Sequence, residues 1–189
     1  MKLLFTILLL SIVSYASANF ALSSFKSQVE ITPFMSYLID NQKNLDIHVV
    51  QKSTQFSPMK KSNFGIQSFA LWTKLIIAND TNKDQSFILS NTRPAIDKLD
   101  VYLIKQNRII KTYKIGDARP MNNRALYNHH SVVPIELISG ETITVITRCE
   151  NIGAMEGGWI SLSSTDFIKN SMHEFMIFGG TVQNSVSIG

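Results

Sequence analysis

The sequence predicts an all-β protein, an antiparallel β-sandwich with a short helix at its C-terminal end. Short runs of β-branched and aromatic residues recur along the chain, and turn-forming residues come after each run. Apolar and polar residues alternate within the runs: Leu99, Val101 and Leu103 share one face, and Asp100 and Tyr102 lie on the other. This period of two is typical of a strand with one buried face and one partly solvated face.

The first eighteen residues are interpreted as a signal peptide. Lys2 supplies a positive start, residues 3–13 form an apolar run, and Ala16-Ser17-Ala18 is a small-x-small cleavage site. The run is too short to cross about 30 Å of hydrocarbon easily, which disfavours an uncleaved anchor. We therefore expect an exported protein whose mature chain begins at Asn19.

The sandwich domain is expected over residues 19–165. Its seven clear predicted strands span residues 69–78, 85–90, 98–104, 108–115, 131–137, 141–149 and 159–163. No internal repeat or linker divides this region, so it is expected to form one domain. Two earlier segments, 30–40 and 45–51, are less clear; each is expected to be a short strand, the first interrupted by Pro33.

Residues 166–189 are predicted to begin with an amphipathic helix. Ser164 or Thr165 would cap the helix and Gly179-Gly180 would end it. Its apolar residues fall on one stripe: Ile168, Met172, Phe175 and Met176. Two alternatives are open, a helix that packs on the sandwich and a helix that leads toward a membrane.

Composition and motifs exclude several functions. The 189 residues carry 18 Lys and Arg against 14 Asp and Glu, and this net charge of +4 is too mild to imply a nucleic-acid partner. Cys149 is the only cysteine, so no intramolecular disulfide can form, and a buried strand residue is a better interpretation than a nucleophile. There is no Gly-x-Ser-x-Gly elbow, phosphate loop or His-Glu-x-x-His motif. We expect a protein that is not an enzyme and uses no metal or cofactor.

The candidate ligand-binding residues lie beside turns or on strands. The segment 116–124 places two guanidinium groups near a carboxylate and an amide, a set suited to a carboxylate, a phosphate or sugar hydroxyls: Asp117, Arg119, Asn123 and Arg124. The favoured alternative is structural, with Asp117 bonding turn amides and Arg119 pairing with it. Trp72 and Trp159 are candidate sugar-stacking platforms, although a Trp on a strand more often belongs to the core.

An ordered set of motifs resembles the extracellular sensor domain of bacterial seven-transmembrane receptors with diverse intracellular signalling modules. The resemblance covers residues 29–178 and rests on these motifs: Leu71-Trp72-Thr73-Lys74, Leu99-Asp100-Val101-Tyr102, Gly116-Asp117-Ala118-Arg119-Pro120 and Val133-Pro134-Ile135. It implies a periplasmic jelly-roll β-sandwich, similar to carbohydrate-binding modules. Such a domain binds a small ligand, a sugar or an anionic metabolite, and passes a conformational signal to a membrane signalling partner.

The C-terminal end of the sequence departs from the pattern of these receptors. Full-length members continue from residues equivalent to 173–180 into a membrane helix, whereas this sequence turns polar at 181–185 and ends at Gly189. We expect a truncated or fragmentary receptor. A sensor with a separately encoded membrane partner and a free-standing periplasmic binding protein are the alternatives. A different class is also open, a protein-interaction β-sandwich that docks a membrane or periplasmic partner through an edge strand or the C-terminal stripe.

Overall fold

The computed structural model describes residues 19–94, 96–126 and 128–173. The predicted signal peptide and the end of the C-terminal segment, with Phe175, Met176 and Gly179-Gly180, lie outside the described residues.

The described residues form thirteen strands, two α-helices and three short 3-10 helices, Leu22–Ser24, Thr32–Phe34 and Met121–Asn123. The strands, in chain order, are β1 (Phe20–Ala21), β2 (Gln28–Glu30), β3 (Ser36–Asp40), β4 (Ser57–Pro58), β5 (Asn63–Ile66), β6 (Ala70–Ala78), β7 (Gln85–Pro94), β8 (Lys98–Lys105), β9 (Arg108–Ile115), β10 (His130–Leu137), β11 (Thr142–Glu150), β12 (Ala154–Glu156) and β13 (Trp159–Ser163). Helix α1 (Ile47–Lys52) lies between β3 and β4, and helix α2 begins at residue 164 and is described through residue 173.

The strands build two main sheets that share one core. The larger sheet has the order β4-β3-β6-β11-β8-β9, with β1 parallel to β6, and the smaller has the order β10-β7-β13-β2. Strands β5 and β12 form a separate antiparallel pair. Leu71 and Val145 from the larger sheet and Phe87, Leu89 and Val133 from the smaller one lie in a single buried cluster. The predicted all-β sandwich is confirmed; the jelly-roll connectivity stays a prediction.

The alternation within β8 is also confirmed. Leu99, Val101 and Leu103 are buried in the core between the sheets, whereas Asp100 and Tyr102 lie on the outer face of the larger sheet. Each strand in the middle of the larger sheet thus points alternate side chains into the main core. Burial of these apolar side chains provides the main driving force for folding.

Helix α1 replaces a strand that the sequence predicts at 45–51, and that prediction is wrong. The Asp46 carboxylate accepts a hydrogen bond from the backbone N–H of His48 at 2.8 Å and so caps the helix. Ile47 and Val50, three residues apart, are buried on the outer face of the larger sheet. The apolar spacing of this segment fits the period of a strand as well as that of a helix, and the Asp46 cap favours the helix.

Helix α2 covers the outer face of the smaller sheet through a face that the sequence does not predict. Phe167 packs against a buried cluster on that face, whereas Ile168 and Met172 of the predicted stripe are 56% and 61% exposed. The Ser163 hydroxyl accepts a hydrogen bond from the N–H of Asp166 at 3.1 Å, so the cap lies one residue before the predicted Ser164. Within residues 19–94, 96–126 and 128–173, no helix has the length and hydropathy needed to cross a bilayer.

Candidate functional site

Arg124 bonds to both ends of the loop between β9 and β10, which it belongs to. Its Nη2 lies 2.6 Å from Asp117 Oδ1, and its Nη1 donates to the carbonyl oxygen of Asn128 at 2.6 Å. The Arg124 side chain is only 7% exposed, whereas that of Asp117 is 46% exposed. The guanidinium therefore holds the loop in shape, because Nη1 and Nη2 are both engaged by groups of the same loop.

Arg119 is also engaged within the fold, but by a different carboxylate from the expected one. Its Nη1 donates to the carbonyl oxygens of Leu99 and Ile115, each at 3.1 Å, and lies 2.6 Å from Asp100 Oδ1. The predicted pairing of Arg119 with Asp117 is wrong, because β8 places Asp100 beside the guanidinium.

The turn at Gly116 is fixed by the main chain. Asp117 N–H donates to the Ile96 carbonyl at 2.7 Å, and Ala118 N–H donates to the Asp97 carbonyl at 3.0 Å. Gly116 has a φ of +129°, and a Cβ there would lie 2.3 Å from the Asp97 oxygen, so a glycine is required. The Asp117 carboxylate, expected to bond turn amides, instead accepts from Arg124.

The two tryptophans are buried. Trp72 is 1% exposed and stacks on Tyr102, with ring centroids 6.2 Å apart, while the Arg148 guanidinium lies 5.7 Å from its centroid. Trp159 is 2% exposed within the main core. Neither ring presents a face to a ligand in this structure, which corresponds to the core role that the sequence favours for a Trp on a strand.

The predicted binding residues thus form no single open site. Arg119 and Trp72 lie on the outer face of the larger sheet with Arg148 between them, and Trp159 belongs to the smaller sheet. Asn123 is exposed at the end of the short 3-10 turn Met121–Asn123. Among the residues that the structure describes, no cluster of three or more His, Cys, Asp or Glu could hold a metal ion.

A groove at the edge of the larger sheet is a better candidate. It has a volume of about 570 Å³, and its lining side chains come from β3, β4, β5 and the segment that joins β4 to β5: Tyr37, Ser57, Pro58, Lys60, Lys61 and Phe64. Tyr37 pairs with Ser57 in the sheet, and the N–H of buried Met59 donates to the Met35 carbonyl at 2.9 Å. These bonds fix the segment that carries the two lysines.

The rings of Tyr37 and Phe64 form one wall of this groove, and Phe69 packs against Phe64 from outside the lining. The ring centroids of Tyr37 and Phe64 are 5.0 Å apart at 61°, and those of Phe64 and Phe69 are 6.4 Å apart at 87°. All three rings are partly buried against the main core. Edge-to-face contacts of this kind stabilise the rings in place and leave a firm apolar surface.

The charge of the groove is positive. Lys60 and Lys61 are both exposed, and Lys61 Nζ lies 5.6 Å from the centroid of Phe64. In the described part of the chain, neither ammonium group has a carboxylate within 4.0 Å. The lining contains no acidic residue. These are the properties of a site that attracts anions.

The sequence contained only a weak signal for this groove. Pro58 and the Lys60-Lys61 pair mark a surface connection, but nothing in the spacing places Tyr37 beside Phe64. A second, more open groove of about 690 Å³ lies beside α1 and contains Leu38, Val49 and Lys52. It has no aromatic wall, so it offers a ligand less defined contact.

The comparison with known families covers both the groove and the 116–124 loop. The family model described as 7TMR-DISM extracellular 2 matches residues 32–158. The chain belongs to this family. The 7TMR-DISM extracellular 2 domain is an extracellular sensor domain of the seven-transmembrane receptors that the sequence resembles, so the predicted family is confirmed. No curated protein matches the chain.

Proposed function

We propose that this 7TMR-DISM extracellular 2 domain is a periplasmic, non-catalytic sensor that binds a small ligand in the groove of Tyr37, Phe64, Lys60 and Lys61. The observation that carries the proposal is the combination of a firm aromatic wall with two lysines that lack carboxylate partners among the described residues. A volume of about 570 Å³ lies within the range of small-molecule sites. A sugar and an anionic metabolite are the two ligand classes expected from the sequence.

A sensor also needs a route from the ligand to the rest of the receptor. The backbone carbonyl of Ser62, next to Lys61, accepts a hydrogen bond from the N–H of Gly157 at 2.9 Å. The carbonyl oxygen of Gly158 accepts from Asn91 Nδ2 at 3.0 Å and from both the N–H and the hydroxyl of Thr92 at 3.2 Å. The segment beside the groove is therefore bonded through two glycines to the end of β7.

The close packing at this junction makes the connection stiff. A Cβ on Gly158 would lie 2.6 Å from Ser62 Cβ and 3.0 Å from Thr92 Oγ1. Backbone hydrogen bonds join Ser62 to Gly157 and Gly158 to Thr92, and the side chains of Ser62 and Thr92 leave no room for a Cβ at Gly158. A displacement of Ser62 is thus passed to Thr92 in our proposal.

Helix α2 receives the displacement. Asn91 and Thr92 line a cavity of about 170 Å³ that is also lined by Phe167 and Asn170 of α2. Ser171 on the same helix accepts a hydrogen bond from Asn128 Nδ2 at 3.1 Å. Ligand binding in the groove would therefore change how α2 sits on the smaller sheet, and α2 is the element that would connect the domain to a membrane partner.

A thermal-shift screen of sugars and anionic metabolites tests the proposal on the purified protein. A ligand at 100 times its dissociation constant should stabilise the protein by about 2.7 kcal/mol, or roughly 5–10 °C in Tm. Phe64→Leu keeps an apolar side chain but removes the ring, so it should abolish most of the shift. Ile110→Ala, at a side chain on β9 that is 56% exposed, is the matched control and should keep the shift. No shift with any compound, or equal shifts in both variants, would contradict the proposal.

A protein-interaction domain is the second candidate function. The exposed Ile168 and Met172 favour it, because they form an apolar stripe on α2 that the sandwich leaves uncovered. The double variant Ile168→Glu and Met172→Glu should then lose association with a membrane partner while its ligand-induced shift is retained. Unchanged association would remove the support that the stripe gives to docking.

A further inference from the structure

We infer that the groove selects a small amphiphilic anion, a carboxylate or phosphate group attached to an apolar planar body, in preference to a neutral sugar. The inference rests on the proposed function, because it concerns the ligand of the same groove. Its basis is the charges, the polar groups and the shape of the lining.

The two groove lysines differ from the arginines that form ion pairs elsewhere in the described fold. Arg119, Arg124 and Arg148 each have a carboxylate partner, in Asp100, Asp117 and Glu150. Their positive charges are thus neutralised within the protein. Lys60 and Lys61 have no such partner among the described residues, so two positive charges without a counter-charge line the same groove. An anion placed there would relieve the repulsion between them.

The neutral polar groups of the groove are too few for a sugar. The lining side chains offer the hydroxyls of Tyr37 and Ser57, and no amide, carboxylate or guanidinium. A sugar carries several hydroxyls, each of which needs a hydrogen-bond partner once it is removed from water. A single anionic group needs donors only, and ammonium groups supply them.

The aromatic wall adds a requirement for an apolar body. Tyr37 and Phe64 meet edge to face, and Lys61 lies over the Phe64 ring. A flat apolar group can pack on this wall while its charged end faces the lysines. Inorganic phosphate satisfies only the charged half of the site and leaves most of about 570 Å³ unfilled.

An NMR titration of the full chain with three probes tests the inference. Phenyl phosphate carries both features, 2-phenylethanol carries the ring alone, and inorganic phosphate carries the charge alone. Phenyl phosphate should bind at least about tenfold more tightly than either of the others, since 2-phenylethanol lacks two partly exposed charge contacts that each contribute a few-fold, and inorganic phosphate lacks the ring contact. Raising the salt concentration to about 0.5 M should weaken the binding of phenyl phosphate.

Charge variants separate the two lysines from the rest of the surface. The double variant Lys60→Gln and Lys61→Gln should weaken phenyl phosphate binding by about tenfold, and the arginine pair at the same positions should restore it. The control removes the same charge from exposed positions on β9, with Lys111→Gln and Lys114→Gln, and should bind as the unmodified protein does.

The outcomes distinguish this inference from the proposed function. If 2-phenylethanol or a sugar binds in the groove as tightly as phenyl phosphate, and the lysine variants bind equally well, the anion inference is overturned while the groove remains a ligand site. If no probe or screened compound shifts the resonances of Tyr37 or Phe64, the groove itself is rejected. Equal weakening by the β9 control would show that only net charge matters, which would also overturn the inference.

Discussion

Replacing Arg124 by alanine distinguishes a structural guanidinium from one that binds ligand. The Asp117 partner is 46% exposed, so solvent screening limits this ion pair to about 1 kcal/mol. The bond from Nη1 to the Asn128 carbonyl, at 2.6 Å, is made by a charged donor on a side chain that is 7% exposed, and such bonds contribute about 1.5–3 kcal/mol. Together they give about 3 kcal/mol.

The assay compares unfolding and ligand binding in the same variants. Arg124→Ala should lower Tm by roughly 6–12 °C, at about 2–4 °C per kcal/mol for a chain of this size. Lys114→Ala removes the same charge from an exposed position on β9 and should leave Tm within about 2 °C. Ligand affinity should be unchanged in both variants. An unaltered Tm with loss of ligand binding in Arg124→Ala would refute this reasoning and place the ligand at the 116–124 loop.

Three further predictions concern burial, ionisation and close packing. Burial raises the pKa of Cys149 to about 12, so Ellman's reagent should react with the unfolded protein only; rapid reaction of the native protein would contradict this. The hydrogen bond from Lys105 lowers the pKa of Glu141 in the folded protein. The ionised Glu141 therefore stabilises the fold above the pKa that it has in the unfolded chain, and this stabilisation is lost as the pH falls through the lower pKa of the folded protein. As the pH falls below about 4.3, Glu141→Gln should therefore lose less free energy of unfolding than the unmodified protein does, by up to about 1 kcal/mol. Denaturation at several pH values measures this, and the same pH dependence in both proteins would argue against the Lys105–Glu141 pair. Gly158→Ala should destabilise the protein by about 2 kcal/mol in urea, because its Cβ would meet Ser62, and a neutral effect would show that the junction is not stiff.

The strands were predictable from the sequence because their signal is local. Leu99, Val101 and Leu103 alternate with polar residues in a way that only a half-buried strand explains. Cys149, 1% exposed, was predictable for the same reason. The segment 45–51 was not, since its apolar spacing fits both periods and the deciding interaction is the Asp46 cap.

The candidate site was less predictable because it depends on contacts between distant residues. Arg119 pairs with Asp100, nineteen positions away, through the register of β8 and β9, and no local spacing shows this. The groove likewise needs β3 to bring Tyr37 to Phe64. The face of α2 that packs on the sheet was predicted wrongly for another reason. Helical spacing in the sequence identifies an apolar stripe, but Phe167, which lies outside that stripe, makes the contact with the smaller sheet.

Hydrogen–deuterium exchange with and without a stabilising ligand tests most directly that the groove binds the ligand and α2 responds to it. Amide exchange reports local opening along the whole chain, so it locates both the site and its coupled elements. The proposed mechanism predicts ligand-dependent protection in residues 57–64, at Asn91 and Thr92, and in residues 167–171. Protection confined to residues 116–130, with no change in 57–64, would contradict it.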